Sequence, residues 1–439
     1  MGSEPEVADL GWRKSLLFAS GDFACNLYWQ SITFYLLFFY TDTLGLSAAV
    51  AGLITMAASI WDGIAGLLIG VAADRHGNRG FIRIGALPLA LSFVLIYLPV
   101  PFHGAWLALF ALIAHMLFRT LYVAVNVPYA ALTVRIAGDS ITRSRIAGLR
   151  MILGSVAAMG VAVGTQATLH LANMAGHGAA AYAIVAIPLG VVATIMLFRV
   201  EAMPVAEPAS AAAGSAAFRL GPILNAIAAN RGFALLNLGI CGGVAAMGIL
   251  TRAVPYYFKY QVGDGAAGAV ALAAMGLAGI VAVPVWMAFA TRFGHRLQWQ
   301  CSAATAALAL LLLLILRPVS APGAQSLFIL FQAGGQGLFF GFWALLPDVV
   351  EHGGPAGGAR MDTLSFGVAA LLQKVAQGIA VATFGALLSA SGYVARDIQP
   401  ANVLHSLVLL SAGLPLAATI LASGAMWCFP RSFGRISVR

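Results

Sequence analysis

The sequence is short of charge. Only 9% of its 439 residues are Asp, Glu, Lys or Arg, where a soluble domain carries about 25%, so a large water-soluble protein is excluded. Cysteine is scarce too: Cys25, Cys241, Cys301 and Cys428 lie far apart, which offers neither a metal-ligand spacing nor a disulfide framework. No alternating segments of about ten residues, the mark of a membrane barrel, are present. Nor is there a His-Glu-x-x-His, a His and Cys cluster or an acid pair at catalytic spacing, so the chain does not read as an enzyme. The opening MGSEPEVADLGWRK is polar and carries both signs of charge. It lacks the basic-then-apolar order of a signal peptide, so the first apolar segment is expected to stay in the membrane.

Apolar side chains are what the sequence has. They make up 61% of it, with a mean hydropathy of +0.92. At about 20 residues per crossing, the expected fold is an all-α membrane protein with twelve transmembrane helices. They lie near 16–40, 48–73, 82–101, 104–133, 147–170, 179–199, 231–259, 265–290, 298–317, 323–350, 364–389 and 402–428.

The net charge of +9 does not read as a nucleic-acid footprint. With a cytoplasmic N-terminus, most Lys and Arg fall on the inner loops, and only Lys259, Arg317 and Arg396 reach the outer face. The positive-inside rule then puts both termini in the cytoplasm. The reading is a multi-pass protein of a bacterial inner membrane, monomeric, whose partners are the bilayer and a small-molecule substrate.

Residues 200–230 break the apolar pattern with Pro, Ala and Ser. They are expected to form a cytoplasmic linker ending in a short amphipathic helix. That divides the chain into six-helix bundles over 1–199 and 231–428, with a tail at 429–439. A repeat supports the division. DRHGNR (Asp74–Arg79) after span 2 matches TRFGHR (Thr291–Arg296) after span 8, and FYLLFFYTDTLG (Phe34–Gly45) ending span 1 matches VPYYFKYQVGDG (Val254–Gly265) ending span 7. Half-chain repeats in a twelve-span protein point to a transporter with its site where the halves meet.

Polar residues at membrane depth are the sharpest functional clue. Asp22, Asn26, Gln30 and Thr33 share one face of span 1, and His115, Arg119, Tyr122 and Asn126 share one face of span 4. Span 10 carries Gln332, Gln336 and Trp343, and span 11 carries Gln373, Lys374 and Gln377. Such stripes read either as helix-packing bonds or as the lining of one wet cavity, and two acids with two bases at depth favour the cavity. Counted from the cytoplasmic helix ends, Asp62 and Lys374 both come about 15–16 Å in. A lone buried lysine tends to lose its proton and a lone buried aspartate to gain one, so each would hold the other charged. Arg150 either snorkels to the surface or points inward. Arg119 either binds substrate or pairs with Asp22 or Asp62.

Several motifs resemble known families. Gly70, Asp74, Arg75, Gly77 and Arg79 resemble the loop 2–3 signature of the major facilitator superfamily, Gly-x-x-x-Asp-Arg-x-Gly-x-Arg, which implies a cytoplasmic gate. FFYTDTLGLS (Phe38–Ser47), IWDGIAG (Ile60–Gly66), NVPYAALT (Asn126–Thr133), FWALLPDVVEHG (Phe342–Gly353) and QKVAQG (Gln373–Gly378) resemble, in order, the glycoside–pentoside–hexuronide:cation symporters, the melibiose-permease branch of that superfamily. The resemblance implies a major facilitator fold of two six-helix bundles and alternating access. It implies cation coupling at Asp62, Lys374 and Asp22. The substrate-binding set it suggests, with the polar faces above, is Asp22, Asn26, Arg119, Tyr122, Asn126, Arg150, Trp343, Gln373 and Lys374.

Two departures matter. Sodium-using members carry a second aspartate one turn after the first, where this chain has Ala65 and Gly66, and the family's span 4 aspartate is replaced by Asn126. A proton needs one titratable group, whereas sodium needs several oxygens. The expected coupling ion is therefore H+ rather than Na+, with no cofactor and no resident metal. The more basic cavity makes an anionic sugar, such as a uronide or sulfonated sugar, a candidate substrate. Lysolipids, carried by other members, and a non-transporting membrane sensor are the alternative readings.

Overall fold

The computed structural model describes residues 11–76, 78–136, 140–203, 230–353 and 359–430. Among them every regular element is helical, as a bilayer demands of backbone groups that have no water to bond. The helices are α1 (Trp12–Ser31), α2 (Ala48–His76), α3 (Asn78–Ile96), α4 (Gly104–Ile136), α5 (Ser140–Met174), α6 (Ala181–Glu201), α7 (Arg231–Tyr256), α8 (Gly265–Phe293), α9 (His295–Leu316), α10 (Ala321–Gly353), α11 (Ala359–Ala390), α12 (Ala401–Val408) and α13 (Leu414–Trp427). A π-helical stretch, Leu409–Gly413, joins α12 to α13, so that Ala401–Trp427 makes one crossing.

Eleven crossings among the described residues are long and apolar enough to span a membrane. The first expected span is not among them. Its helix α1, WRKSLLFASGDFACNLYWQS, carries Asp22, Asn26, Gln30 and several serines in twenty residues, and the polar face that makes it interesting also lowers its hydropathy. Elsewhere Ile84, Trp106, Ile315 and Leu316 stand exposed, the outward apolar faces of helices solvated by lipid. The linker's expected amphipathic helix lies outside the described residues.

The repeat seen in the sequence has a structural counterpart. Span 1 continues from α1 through π-helical turns at Ile32–Leu36 and Phe39–Thr43, and span 7 continues from α7 through a π-helical stretch at Tyr257–Val262. Each then turns at a glycine with positive φ, 77° at Gly45 and 79° at Gly263, a conformation other residues adopt only at a cost. Pro255 precedes the second π stretch. Its missing N–H and ring loosen the i→i−4 ladder at that point.

The chain divides into two compact units, one of residues 1–32 and 64–214 and the other of 33–63 and 215–439. These do not follow chain order, because the end of span 1 and the first half of α2 group with the second half of the sequence. The first division falls at the π turn Ile32–Leu36, the second at Gly63, next to Asp62.

In the first unit α1 packs on α5 and α6, and α3 on α4 and α6. There Tyr28 meets Phe93 and Phe118 edge-on and Phe93 meets Tyr97 edge-on, and Tyr97 hydroxyl donates to Ser31 carbonyl at 3.0 Å. In the second unit, Phe233, Leu236, Trp299, Phe342 and Met426 centre the core between α7, α9, α10 and α13. Asn230 caps α7 by accepting from Phe233 N–H at 3.0 Å and donates to Val349 carbonyl, which fixes α7 against α10.

Candidate functional site

In the first unit the polar face of α1 is a ladder. Asn26 Nδ2 donates to Asp22 Oδ2 at 3.1 Å, and Gln30 Nε2 donates to Asn26 Oδ1 at 3.4 Å. Across from it, Arg150 of α5 donates from Nε at 3.1 Å and from Nη2 at 2.8 Å to one oxygen, Asp22 Oδ1. The guanidinium also lies 5.3 Å above the Tyr129 ring, whose hydroxyl donates to Phe18 carbonyl at 2.9 Å. Arg150 therefore points inward rather than snorkelling. The site depends on a glycine: a Cβ at Gly154, one turn beyond Arg150, would stand 3.1 Å from Asn26 Nδ2 and 3.4 Å from Asp22 Oδ2. The ion pair is half-buried, with side chains 25% and 18% exposed, so a ligand can reach it.

Further along α4, Arg119 is 2% exposed. Its guanidinium lies 4.9 Å above the Trp29 ring, and its Nε donates to His115 Nε2 at 3.2 Å. An accepting Nε2 makes His115 a neutral imidazole with its proton on Nδ1. Trp29 stacks on Tyr122 at 5.8 Å, and Tyr122 on Phe118. Asn126 is half-buried on the same helix. Asp22, Asn26, Arg119, Tyr122, Asn126 and Arg150 thus belong to one unit, with two aromatic-backed arginines among them.

In the second unit Lys374 Nζ of α11 stands 2.6 Å from Asp62 Oδ2 of α2, and the Asp62 side chain is 3% exposed against 29% for Lys374. Small residues bring the helices this close. A Cβ on Gly378 would meet Met56 Cα at 3.2 Å, and one on Gly52 would meet Ala382 Cα at 3.1 Å. One turn outward from Lys374, Gln377 packs on Gly248 of α7, where Arg252 Nη1 donates to Gly248 carbonyl at 3.1 Å. Arg252 is 3% exposed. Gln373 instead turns its amide to its own helix, donating to Ala369 carbonyl at 3.3 Å. Trp343 lies among aromatics, edge-on to Phe342 at 5.3 Å and stacked on Phe366 at 6.3 Å.

Of the expected cytoplasmic gate, Gly70 lies in α2 and Arg79 in α3. Gly77 and the side chains of Asp74 and Arg75 lie outside the described residues. Among the described residues no group of His, Cys, Asp and Glu could hold a metal ion.

One cluster escaped the sequence reading. Asp42, only 4% exposed, accepts from Lys259 Nζ at 2.7 Å, Tyr260 hydroxyl at 2.5 Å, Tyr393 hydroxyl at 2.6 Å and Thr41 Oγ1 at 2.9 Å. Its signal was the acid inside FFYTDTLGLS together with Lys259 and Arg396, two of the few basic residues expected at the outer face.

Comparison with known proteins gives a consistent result. Residues 17–431 match the family described as MFS/sugar transport protein. The isoprimeverose transporter of Lactiplantibacillus pentosus is 25% identical over 94% of this chain and 88% of its own length. The glucuronide carrier protein homolog of Escherichia coli K12 is 24% identical over 96% and 93%. Among solved structures, the crystal structure of a D-xylose-proton symporter aligns with a TM-score of 0.73 at 16% identity, over 94% of this chain and 97% of that one.

Proposed function

The chain belongs to the MFS/sugar transport protein family, and from that we propose that it is a cation-coupled symporter of a sugar or glycoside working by alternating access, with a proton as the coupling ion. The supporting observation is the ion pair of the buried Asp62 carboxylate with the partly exposed Lys374, at 2.6 Å. A cation beside a desolvated carboxylate offsets part of the cost of burying it. Proton binding to Asp62 frees the lysine, and proton release restores the pair, so protonation changes which contacts the two helices make. The next turn of α2 offers no oxygen-bearing side chain, since Ala65 is buried and a Cβ on Gly66 would meet Val123. That favours a proton over sodium.

The substrate is proposed to bind at Asp22, Arg150 and Asn26, with Trp29 and Tyr122 as the aromatic surface for a sugar ring and Arg119 available to an acidic substituent. A carboxylate accepts sugar hydroxyls, while arginine donates to them or to an acid. Isoprimeverose, which one relative transports by name, and glucuronide, for which another is named a carrier protein homolog, bracket the neutral and anionic possibilities. The same reading has both termini in the cytoplasm of a bacterial inner membrane; the bias of Lys and Arg towards the loops on that side supports the orientation.

The test is thermal stabilisation of purified protein by isoprimeverose, a phenyl glucuronide and lysophosphatidylcholine. Stabilisation by either sugar, reduced at least tenfold in apparent affinity in Asp22→Asn, supports the reading. Stabilisation by the lysolipid alone overturns it.

A further inference from the structure

Beyond the pair that couples transport, the second unit contains a denser polar knot. Besides its side-chain partners, Asp42 is held through its backbone. Arg396 donates from Nε to Asp42 carbonyl and from Nη2 to Thr43 carbonyl at 2.6 Å, and its own N–H donates to Tyr260 hydroxyl at 3.0 Å. Arg396 does this with φ of 65°, a left-handed conformation uncommon for a residue with a side chain and concentrated at switch regions. Tyr256 hydroxyl meets Thr41 Oγ1 at 2.8 Å. Because Thr41 gives its proton to Asp42, Tyr256 is the donor, so the network extends one turn inward along α7. Burial and the Asp42 carboxylate push the Tyr393 phenol far above its usual range, which keeps it a donor.

The members come from three places: the π-helical end of span 1, the π-helical end of span 7, and the loop after α11. The first belongs to the first half of the sequence and the others to the second. Directly below, the first half of α2 lies against α11 at Gly52 and Ala382 and at Met56 and Gly378, down to Asp62 and Lys374. No sugar can pass where helices approach this closely. In a transporter that exposes its site to the two sides in turn, these contacts must form and break once per cycle.

We propose that Asp42 is the closing residue of the outer gate, gathering Lys259, Tyr260 and Tyr393 around its carboxylate and Arg396 against its backbone carbonyl when the outer path is shut, and releasing them when it opens. This rests on the alternating-access reading. The choice of contacts suits a switch. A buried carboxylate with one ammonium, two phenol and one threonine donor is satisfied only in the closed arrangement, so closure is all-or-none rather than graded. On opening, water can replace every donor, which lets the state reverse.

The experiment reads conformation without any sugar. Full-length protein with its four cysteines replaced carries spin labels at Ser47→Cys and Ile398→Cys, both exposed in this structure, and double electron–electron resonance in lipid nanodiscs measures their separation. The unsubstituted lock should give one short distance. Asp42→Ala and, separately, Lys259→Met should each raise the ratio of long to short distances at least tenfold, and the exchange Asp42→Lys with Lys259→Asp should restore much of the short population. An unchanged distribution in folded Lys259→Met, whose side chain is 38% exposed, overturns the proposal, as does one in folded Asp42→Ala. Because no substrate is used, failure of the sugar-symport reading would show in the binding test and leave this result standing.

Discussion

Asp62, Lys374, Asp22 and Arg150 carry two ion pairs of different character. The Asp62 side chain is almost fully buried, whereas the Asp22 pair is open enough for a ligand. The first suits ion coupling and the second suits recognition. Asp62→Asn keeps the shape and removes the titratable group. It is expected to lower gradient-driven accumulation at least tenfold in proteoliposomes while leaving substrate counterflow within about threefold of normal. Arg150→Lys keeps the charge but loses the two-nitrogen grip on Asp22. It is expected to weaken sugar binding about tenfold, measured by isothermal titration, with thermal stability little changed. The sequence placed Asp62 and Lys374 at one depth by counting helical rise, and so made their pairing legible. It left Arg150 ambiguous between snorkelling and pointing inward, because only the absence of a side chain at Gly154 on the neighbouring turn shows which face of α5 meets α1.

Among elements, α2 and α11 are fitted through small residues, and α1 and α7 end in π-helical turns that meet around Asp42. Gly378→Leu would push the added side chain into the α2 backbone at Met56, 3.2 Å from where even a Cβ would stand. The outer path should then resist closing: the Ser47–Ile398 distance shifts to the longer population and accumulation falls at least tenfold, whereas Gly148→Leu, with open space around it, changes neither. Helix positions and the repeat were readable because apolar length and half-chain similarity are properties of the sequence itself. The π turns were not, since they follow from local strain around Pro255 and from how two helix ends fit each other. The first span was expected from its apolar content, yet its polar face keeps it outside the eleven most apolar crossings.

For the whole molecule, the family and the helical fold were legible from signature motifs, because those motifs sit where helices touch helices and loops bend. The grouping of residues 33–63 with the second half of the chain was not, since it follows from how distant helix ends and small residues fit together, which no local motif records. In the proposed mechanism coupling is a property of the whole chain: a proton on Asp62 would alter the contact between α2 and α11, and a sugar at Asp22 and Arg150 would alter contacts of α1, α4 and α5. The central claim is that the two move together. The most direct measurement is of proton movement itself, with a pH-sensitive dye inside sodium-free proteoliposomes when isoprimeverose or a phenyl glucuronide is added outside. The account predicts sugar-dependent acidification of the lumen, abolished in Asp62→Asn. Sugar uptake that leaves the internal pH unchanged and responds only to an imposed sodium gradient would contradict it.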